Sequence, residues 1–300
     1  MTEHPSVLCV GYVNEDEVIH FDSELEEEKS TNANSVRSVG GGAANTALIL
    51  SGTDRFGTVY MAGCVGGDER GDRVMEQFEN SGVEMVLPRF EDELTTFIRA
   101  FIFDGKKPEY AHENTILPEF TPDDIDDRVW NDVDHVHVTS FDADIVGQFA
   151  EQAHSVGATL SFNPTQGYRS ESFEHVIEHA DLVQMNRAES EVFRERNGPL
   201  GTVVDGLDTD VVITHGPAGC TMHSTDGVVS HPGFPSAVDE VVDTVGAGDS
   251  FIGGLLSAWV NDEPLKDCLK TANAHGAVSV TQHGAPNRIS PSEVDSIIQN

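Results

Sequence analysis

Residues 243–251, with the sequence DTVGAGDSF, combine small residues with an acidic side chain and lead directly into a predicted apolar helix. Small residues allow backbone N–H groups to surround an anion, and the N-terminus of a helix adds about half a positive charge. A carboxylate at Asp249 would lie beside that anion, where a general base is needed when a hydroxyl attacks a phosphoryl group. The alternative is a glycine-rich turn in which Asp249 only caps the helix.

A second glycine-rich segment, GGGAAN at residues 40–45, also stands at the predicted start of a helix. Glycines such as Gly40 and Gly41 let a polar ligand approach the backbone closely. The amide of Asn45 can both donate to and accept from hydroxyl groups. The segment therefore predicts a binding site for a polyhydroxylated molecule, with a ligand-free tight loop as the alternative.

These two segments are part of a wider pattern, in which the chain resembles the ribokinase-like (PfkB) carbohydrate kinases over nearly its whole length. The motifs of that family occur here in the family's order: G-x-x-N-x-D at 11–16, the glycine signature at 40–45, G-x-D-x-x-G at 66–71, N-x-x-E at 186–189, T-x-G-x-x-G at 214–219 and D-T-x-G-A-G-D at 243–249. The resemblance implies a ribokinase-like α/β fold: a central, mostly parallel sheet between helices, with a small β-sheet lid.

The resemblance also implies a reaction in which ATP phosphorylates a small acceptor. Asp249 would take the proton from the acceptor hydroxyl, and the N–H groups of Gly246, Ala247 and Gly248 would form an anion hole for the transferred phosphoryl group. The lid would close over the acceptor and exclude water. The residues that would hold the acceptor are Asn14, Asp16, Gly40, Gly41 and Asn45.

The donor side of the site is also implied by the resemblance. Asn186 and Glu189 would act with Mg²⁺, Glu189 through water, and the loop around Asp243 and Val245 would hold a monovalent cation, for which K⁺ is the hypothesis. The residues implied for binding the nucleotide itself are Asn186, Glu189, Thr214, Gly216, Gly219 and Asn273.

The acceptor is less well defined by the sequence. Gly42 and Ala43 stand where ribokinase has Lys-Gly, which argues against ribose and makes the signature more similar to archaeal nucleoside and sugar-phosphate kinases of the family. The expectation is a pentose-type sugar or sugar phosphate. The alternatives are a nucleoside kinase, or a non-catalytic sugar- or nucleotide-binding protein that kept the fold.

Two arginines are candidates for gripping an acceptor phosphate, because guanidinium groups bind phosphate in a bidentate manner. Arg99 lies on a predicted lid strand, where alternation places it on one face with Phe97 and Phe101. Arg169 follows the turn after a predicted strand that ends near Asn163. The alternative for each is an ion pair with one of the abundant surface acids.

The elements that must position these residues alternate between strands and helices, which predicts a parallel sheet covered on both faces. Strands are expected at 7–10, 59–62, 135–138, 159–162, 182–184 and 211–214, with a hairpin at 220–231. Helices are expected at 43–50, 70–80, 143–155, 171–179, 188–196, 249–260 and 265–281.

A few segments do not fit the α/β alternation and predict the lid. Residues 95–104 (TTFIRAFIFD) run into a GKKP turn and could pair with residues 18–21 and 36–38 in a small separate sheet. We expect one ribokinase-like domain over residues 1–300, with inserted lid strands at about 12–22, 34–39 and 92–110. Whether two lids pair in a homodimer stays open.

The composition limits the partners. Lys and Arg total 17 against 52 Asp and Glu, a formal net charge of −35. Such a charge repels nucleic-acid phosphates and anionic membranes, so neither is expected as a partner. The acids are spread along the chain, which is typical of an acidic coat that keeps a protein soluble in concentrated salt. A halophilic source is the expectation.

The remaining features predict no further chemistry. The chain starts without a signal peptide, and its longest apolar stretch is too short to span a bilayer, so a cytoplasmic protein is expected. His135 and His137 share a strand face without a third metal ligand nearby in sequence. The run at 63–67 lacks the G-x-G-x-x-G spacing of dinucleotide-binding oxidoreductases. Neither metal nor disulfide spacing occurs among the cysteines, which are Cys9, Cys64, Cys220 and Cys268.

Overall fold

A computed structural model of the chain describes residues 4–21, 32–86, 89–103, 109–113, 116, 121–165, 176–201, 208–284 and 288–299. The described strands are β1 (Val7–Val10), β2 (Asn14–Phe21), β3 (Ala33–Gly40), β4 (Val59–Ala62), β5 (Val83–Met85), β6 (Phe97–Phe103), β7 (Glu109–Glu113), β8 (His135–Thr139), β9 (Thr159–Asn163), β10 (Leu182–Asn186), β11 (Asp210–Thr214), β12 (Cys220–Ser224) and β13 (Gly227–His231). The described helices are α1 (Gly42–Ser51), α2 (Glu69–Ser81), α3 (Asp127–Trp130), α4 (Ala143–Ser155), α5 (Arg187–Asn197), α6 (Ala247–Trp259), α7 (Leu265–Ser279) and α8 (Pro291–Gln299).

The central sheet has nine strands in the order β13-β12-β11-β10-β9-β8-β1-β4-β5. Its strands are parallel from β11 to β5, and the β12–β13 hairpin continues the sheet in antiparallel fashion. Since side chains alternate between the faces of a strand, β1 supplies both halves of the core. Leu8 and Val10 pack in the hydrophobic cluster with α3, α4 and α5, whereas Val7 and Cys9 pack in the cluster with α1, α2, α6 and α7.

A second, four-stranded sheet has the order β3-β2-β6-β7 and forms the lid. Strand β2 is antiparallel to β3 and parallel to β6, and β6 is antiparallel to β7. Its inner face carries Asn14, Asp16, Val18 and His20 from β2. Its outer face carries Glu15 and Glu17. This strand register determines which lid residues can contact a ligand.

The α/β sandwich and the separate β-sheet lid are confirmed, and the lid is larger than expected. Strand β3 begins at Ala33, five residues before its first buried side chain, and β7 is exposed throughout, so neither has the apolar alternation that marks a half-buried strand. Helix α6 begins at Ala247, two residues before the predicted start. The expected helix at 171–179 falls largely outside the described residues.

Helix α8 is an addition to the predicted elements. Its start has a local signal, because the Ser290 amide and hydroxyl donate to the Glu293 carboxylate and Pro291 occupies the first helical position. The helix packs Val294 and Ile297 against Ile49 of α1 and Val278 of α7. It therefore closes one end of the α1–α7 layer.

The cysteines and the two histidines of β8, for which the sequence predicts no function, are buried. All four cysteines are buried and free. His135 is hydrogen-bonded to Thr159 and Ser161, each at 2.8 Å, and His137 to Ser161 at 2.8 Å, and burial lowers the pKa of both histidines to about 3. In the described part of the chain, no helix has the length and apolarity that crossing a bilayer requires.

Candidate active site

The predicted motifs meet at the edge of the central sheet where the parallel strands end. The inner face of the lid lies over this edge, and the chain passes from lid to body through Gly40 and Gly41. Gly41 has φ +99°, and a side chain there would collide with the carbonyl of Tyr12, while a side chain at Gly40 would collide with Asp16. Gly41 therefore requires glycine so that the lid strand can reach helix α1, and glycine at position 40 leaves room for the Asp16 carboxyl group.

Asp249 lies in the first turn of α6, facing the start of α1. The amide nitrogen of Asn45 donates to Asp249 Oδ2 at 2.7 Å, which leaves Oδ1 without a described hydrogen-bond partner. Burial raises the pKa of Asp249 to about 6, although the Asn45 bond favours the charged form. At neutral pH the group is therefore mostly ionised and can still accept a proton, as a general base requires.

The N-terminus of α6 supplies the predicted anion site. Gly246 caps the helix with φ +72°, and the N–H groups of Gly246 and Gly248 have no acceptor among the described residues. The Ala247 N–H differs, because it forms a long bond of 3.3 Å to the carbonyl of Thr244. Two of the three predicted donors are thus directly available to an anion.

Asn14 and Asp16 project from the inner face of β2 toward the same edge. The Asn14 amide donates to the Asp16 carboxyl, and the negative charge of Asp249 acts on this group. Burial, together with that charge, raises the pKa of Asp16 to about 7. Asp16 and Asp249 therefore form an acidic pair on opposite sides of the cleft, one from the lid and one from the body.

Asp243 starts the loop that leads to α6, and its carboxylate is only 5% exposed. Oδ1 accepts from the Val245 N–H and Oδ2 from the Gly284 N–H, each at 2.9 Å. On the lid, Nε2 of His20 lies 3.7 Å from Oδ2. Burial lowers the pKa of His20, so its imidazole is largely neutral at pH 7.

Asn186 and Glu189 stand at the end of β10 and in the first turn of α5. They cap each other: the Asn186 side-chain oxygen accepts from the Glu189 N–H at 3.0 Å, and Glu189 Oε2 accepts from the Asn186 N–H at 2.7 Å. Glu189 is 4% exposed, and burial raises its pKa to about 7. The reciprocal cap leaves Glu189 Oε1 as the oxygen available to a further ligand.

The predicted nucleotide loop joins β11 to β12. Thr214 ends β11 in register with Asn186 at the end of β10, and a short 3-10 turn at Gly216–Ala218 follows. Gly216 and Gly219 have φ of +59° and +89°, and a side chain at Gly219 would collide with the carbonyl of His231. The loop therefore presents backbone to the cleft at the same sheet edge as Asn186.

Asn273 lies on α7 against the β12–β13 hairpin. Its amide nitrogen donates to the Leu269 carbonyl at 2.9 Å and lies 3.1 Å from both Cys220 Sγ and His231 Nδ1. Those contacts hold the amide nitrogen within the protein. The amide oxygen remains the atom that could face a base.

Arg99 was a candidate for gripping an acceptor phosphate, and the strand register of the lid corrects this expectation. Arg99 pairs in register with Glu17, on the sheet face opposite Asp16, and it bonds Glu17 at 3.1 Å and Glu113 at 2.8 Å. Its guanidinium also lies 4.4 Å from the Phe97 ring centroid, which confirms their shared face. An ion pair with surface acids, the alternative left open above, is what the structure shows. Arg169 lies outside the described residues.

Tyr110 of β7 faces the cleft from the lid and is not among the site residues predicted from the sequence. It shares the inner face with Val18 and Ala100, and the charges of Asp243, Asp16 and Asp249 all act on its hydroxyl. The ring is 56% exposed. No motif marks it, because β7 has no apolar pattern.

The lid is fixed to the body on its outer side by α2. Arg73 of α2 forms two bonds to the buried Glu15 of β2, at 2.6 and 3.0 Å. Asp68, from the G-x-D-x-x-G motif, caps α2 and accepts from the Thr95 amide and hydroxyl just before β6. That motif therefore positions the lid.

The chain is similar to known proteins over nearly its whole length. The model of the pfkB family of carbohydrate kinases matches residues 4–292. An ATP-dependent ribose-1-phosphate kinase from Halopiger xanaduensis is 30% identical, over 93% of each chain. A nucleoside kinase from Methanothermobacter thermautotrophicus is 29% identical, over 96% of this chain and 94% of that one. The crystal structure of a nucleoside kinase from Methanocaldococcus jannaschii superposes with a TM-score of 0.81 over 99% of both chains, at 21% identity.

The motif order, the sheet with its lid, and the match over nearly the whole chain lead to one assignment. The chain is a member of the PfkB family of carbohydrate kinases and is a phosphotransferase with an alcohol group as acceptor.

Proposed function

We propose that this kinase transfers the γ-phosphoryl group of ATP to a hydroxyl of a pentose-type sugar or sugar phosphate. One observation carries the proposal: Asp249, held by Asn45, directs its second carboxylate oxygen into a cleft that the N–H groups of Gly246 and Gly248 also border, and neither this oxygen nor these N–H groups have a partner among the described residues. A base and an anion site at one helix N-terminus are what phosphoryl transfer to a hydroxyl needs. A binding protein without catalysis would not need the base.

In the reaction, Asp249 accepts the proton of the attacking hydroxyl as the oxygen–phosphorus bond forms and the bond to the ADP oxygen breaks. The N–H groups of Gly246 and Gly248 stabilise the charge that develops on the phosphoryl oxygens, and the dipole of α6 adds to them. Asn14 and Asp16 orient the acceptor from the lid. The lid sheet covers the cleft, so that water does not take the phosphoryl group instead.

Mg²⁺ suits the Asn186–Glu189 pair if the contact passes through water. The reciprocal cap occupies Asn186 Oδ1 and Glu189 Oε2, and the buried Glu189 keeps one oxygen available. Oxygen donors of this kind are those that Mg²⁺ prefers, and the ion usually retains several waters. When bound, Mg²⁺ neutralises phosphate charge. Glu189 would then fix its water shell from the side of α5.

A monovalent cation suits the Asp243 loop. The buried Asp243 carboxylate has no Lys or Arg partner in the described residues, and the His20 beside it is largely neutral at pH 7. A buried carboxylate without a counter-charge is costly, and a cation held with the Val245 carbonyl would offset that cost. The cation would thereby rigidify the loop that sets Gly246 and Gly248.

Replacing K⁺ by Na⁺ or a tetraalkylammonium ion at constant ionic strength is expected to lower kcat at least fivefold. The matched ionic strength separates site binding from the general salt requirement of an acidic protein. A titration of kcat against K⁺, with choline chloride as balancing salt, measures the effect. Equal kcat in the K⁺, Na⁺ and tetraalkylammonium salts contradicts the proposed cation site.

Nucleosides form the second candidate class, and Tyr110 is the observation that favours them. Its exposed ring, on the inner face of the lid, could cover a planar base. The relatives named as nucleoside kinases are compatible with this class, and the ribose-1-phosphate kinase relative is compatible with the first. For a phosphorylated acceptor, Arg169 stays the predicted guanidinium contact.

A coupled assay in high KCl over pentoses, hexoses, their phosphates and nucleosides decides between these classes. We expect kcat/KM for one pentose derivative to exceed that of the free nucleosides at least tenfold. A preference for nucleosides, lost in a Tyr110→Ala variant, transfers the assignment to the second class. Absence of turnover with every acceptor contradicts the proposed function.

Two further proposals concern where the protein acts and how two copies would pair. The chain would act in the cytoplasm, where ATP is available. If two lids pair in a homodimer, the outer lid face would be the contact, since Phe21 stacks there on Phe101 and Phe103.

A further inference from the structure

Thr139, at the carboxyl end of β8, has a side chain that the mechanism above does not use. It is 1% exposed, and its hydroxyl has no hydrogen-bond partner among the described residues. A buried polar group without a partner is destabilising, whereas a valine of the same shape avoids that cost. The hydroxyl therefore has its full hydrogen-bonding capacity left for a ligand.

The position of the hydroxyl shows where that partner would lie. A β-carbon built on Gly42 would stand 3.5 Å from Thr139 Oγ1 and 3.5 Å from Asp249 Oδ1. Because Gly42 has no side chain, this space between the two oxygens is open. The Asp249 oxygen that borders it is the one not held by Asn45.

Two further features keep this space available to a ligand. The side-chain oxygen of Asn45, whose nitrogen holds Asp249, is also buried and has no partner in the part of the chain that the structure describes. Gly11 lies against Thr139 from the other side, and a β-carbon there would come within 2.7 Å of the Thr139 hydroxyl. Neutral hydrogen-bonding atoms therefore surround the reactive carboxylate oxygen, and the glycines leave room around them.

We propose that Thr139 binds the acceptor, through a hydrogen bond between its hydroxyl and an acceptor oxygen close to the one that Asp249 deprotonates. A hydroxyl can donate to a sugar ring oxygen or accept from a sugar hydroxyl. One edge of a sugar can bridge this space by forming a hydrogen bond of about 2.8 Å to the oxygen on each side. The inference rests on the proposed function and adds a specificity contact to it.

The test compares Thr139→Val with Thr139→Ser in the acceptor assay. Valine keeps the shape and removes the hydroxyl, so the KM for the acceptor is expected to rise about tenfold. The KM for ATP should stay within twofold. Serine, which keeps the hydroxyl, is expected to return the acceptor KM to within threefold of wild type.

Thermal unfolding of the ligand-free protein separates this role from a structural one. Because valine removes an unsatisfied polar group, the Tm of Thr139→Val should equal or exceed that of wild type. The matched control is Thr209→Val at the opposite end of the sheet, where the Thr209 hydroxyl donates to the Ile177 carbonyl at 2.9 Å. That variant should lose stability without a change in acceptor KM.

The outcomes are distinct. An unchanged acceptor KM in Thr139→Val, with normal wild-type turnover, overturns the inference and leaves the proposed function intact. A fall in Tm of Thr139→Val with equal increases in both KM values also overturns it, since the hydroxyl would then be structural. A wild type without turnover on any acceptor contradicts the proposed function itself, and the inference with it.

Discussion

Replacing Asp249 by asparagine is expected to lower kcat about 10³-fold while the protein still binds ATP and acceptor. Asparagine keeps the size of the side chain and a hydrogen-bonding partner for Asn45, but it cannot take a proton. Positioned general bases contribute roughly 10²–10⁴-fold to rates of this kind. The loss should therefore appear in kcat, with dissociation constants within about threefold of wild type.

The measurement combines a coupled assay with calorimetry of acceptor and nucleotide binding. Asp210→Asn is the matched control, since burial also raises the pKa of Asp210 and its carboxylate accepts from the Trp259 indole at 2.8 Å. Asp210 begins β11 at the opposite edge of the sheet, so its variant should keep wild-type kcat. Turnover of Asp249→Asn within threefold of wild type would show that another group is the base.

The sequence was sufficient to predict the parallel sheet whose strand ends carry several of the candidate site residues. Strand–helix alternation predicts a parallel sheet, and a parallel sheet brings its carboxyl ends to one edge. Thr214 and Asn186 do end adjacent strands in register there. Glycine positions such as Gly41 and Gly246 were recognisable because a positive φ or a close backbone approach restricts them to glycine.

What the sequence could not decide was which face of a lid strand meets the cleft. Alternation places Arg99 with Phe97 correctly, but the same pattern suits either face. Only the pairing of β2 with β6 shows that Arg99 stands with Glu17, away from Asp16. In a chain of net charge −35, each arginine has many possible carboxylate partners, and spacing alone cannot choose among them.

Thr139 and Tyr110 show a different limit. A single hydroxyl at the end of a buried strand and a single ring on an exposed strand form no pattern, so no motif search finds them. Thr139 becomes noticeable only through an unmade hydrogen bond. Tyr110 becomes noticeable only through the charges of three carboxylates that act on its hydroxyl. Both are properties of the folded arrangement.

Replacing Asp16 by asparagine is expected to raise the acceptor KM, by an amount that depends on pH. Asp16 carries its charge above a pKa of about 7, because burial and the charge of Asp249 both oppose ionisation. An ionised carboxylate accepts stronger hydrogen bonds from acceptor hydroxyls than a neutral one. In the wild type, the KM for the acceptor should therefore fall as the pH rises from 6 to 8.

The Asp16→Asn variant should lose that dependence. At pH 8 its acceptor KM is expected to be about 100-fold above wild type, for two charge-assisted bonds lost. Near pH 6 the wild-type carboxyl is itself mostly protonated, so the difference should narrow. The fall in kcat at acidic pH should have its midpoint near pH 6 in both proteins, because Asp249 titrates there while Asp16 is already neutral.

A matched control lies one residue further along the same strand. Glu17 occupies the outer lid face, where it bonds Arg37 at 3.0 Å and Arg99 at 3.1 Å. Glu17→Gln removes a carboxylate from β2 at nearly the same depth and should leave the acceptor KM and its pH dependence unchanged. If both variants raise the KM alike, the effect is one of lid stability. If Asp16→Asn at pH 8 stays within threefold of wild type, Asp16 does not hold the acceptor.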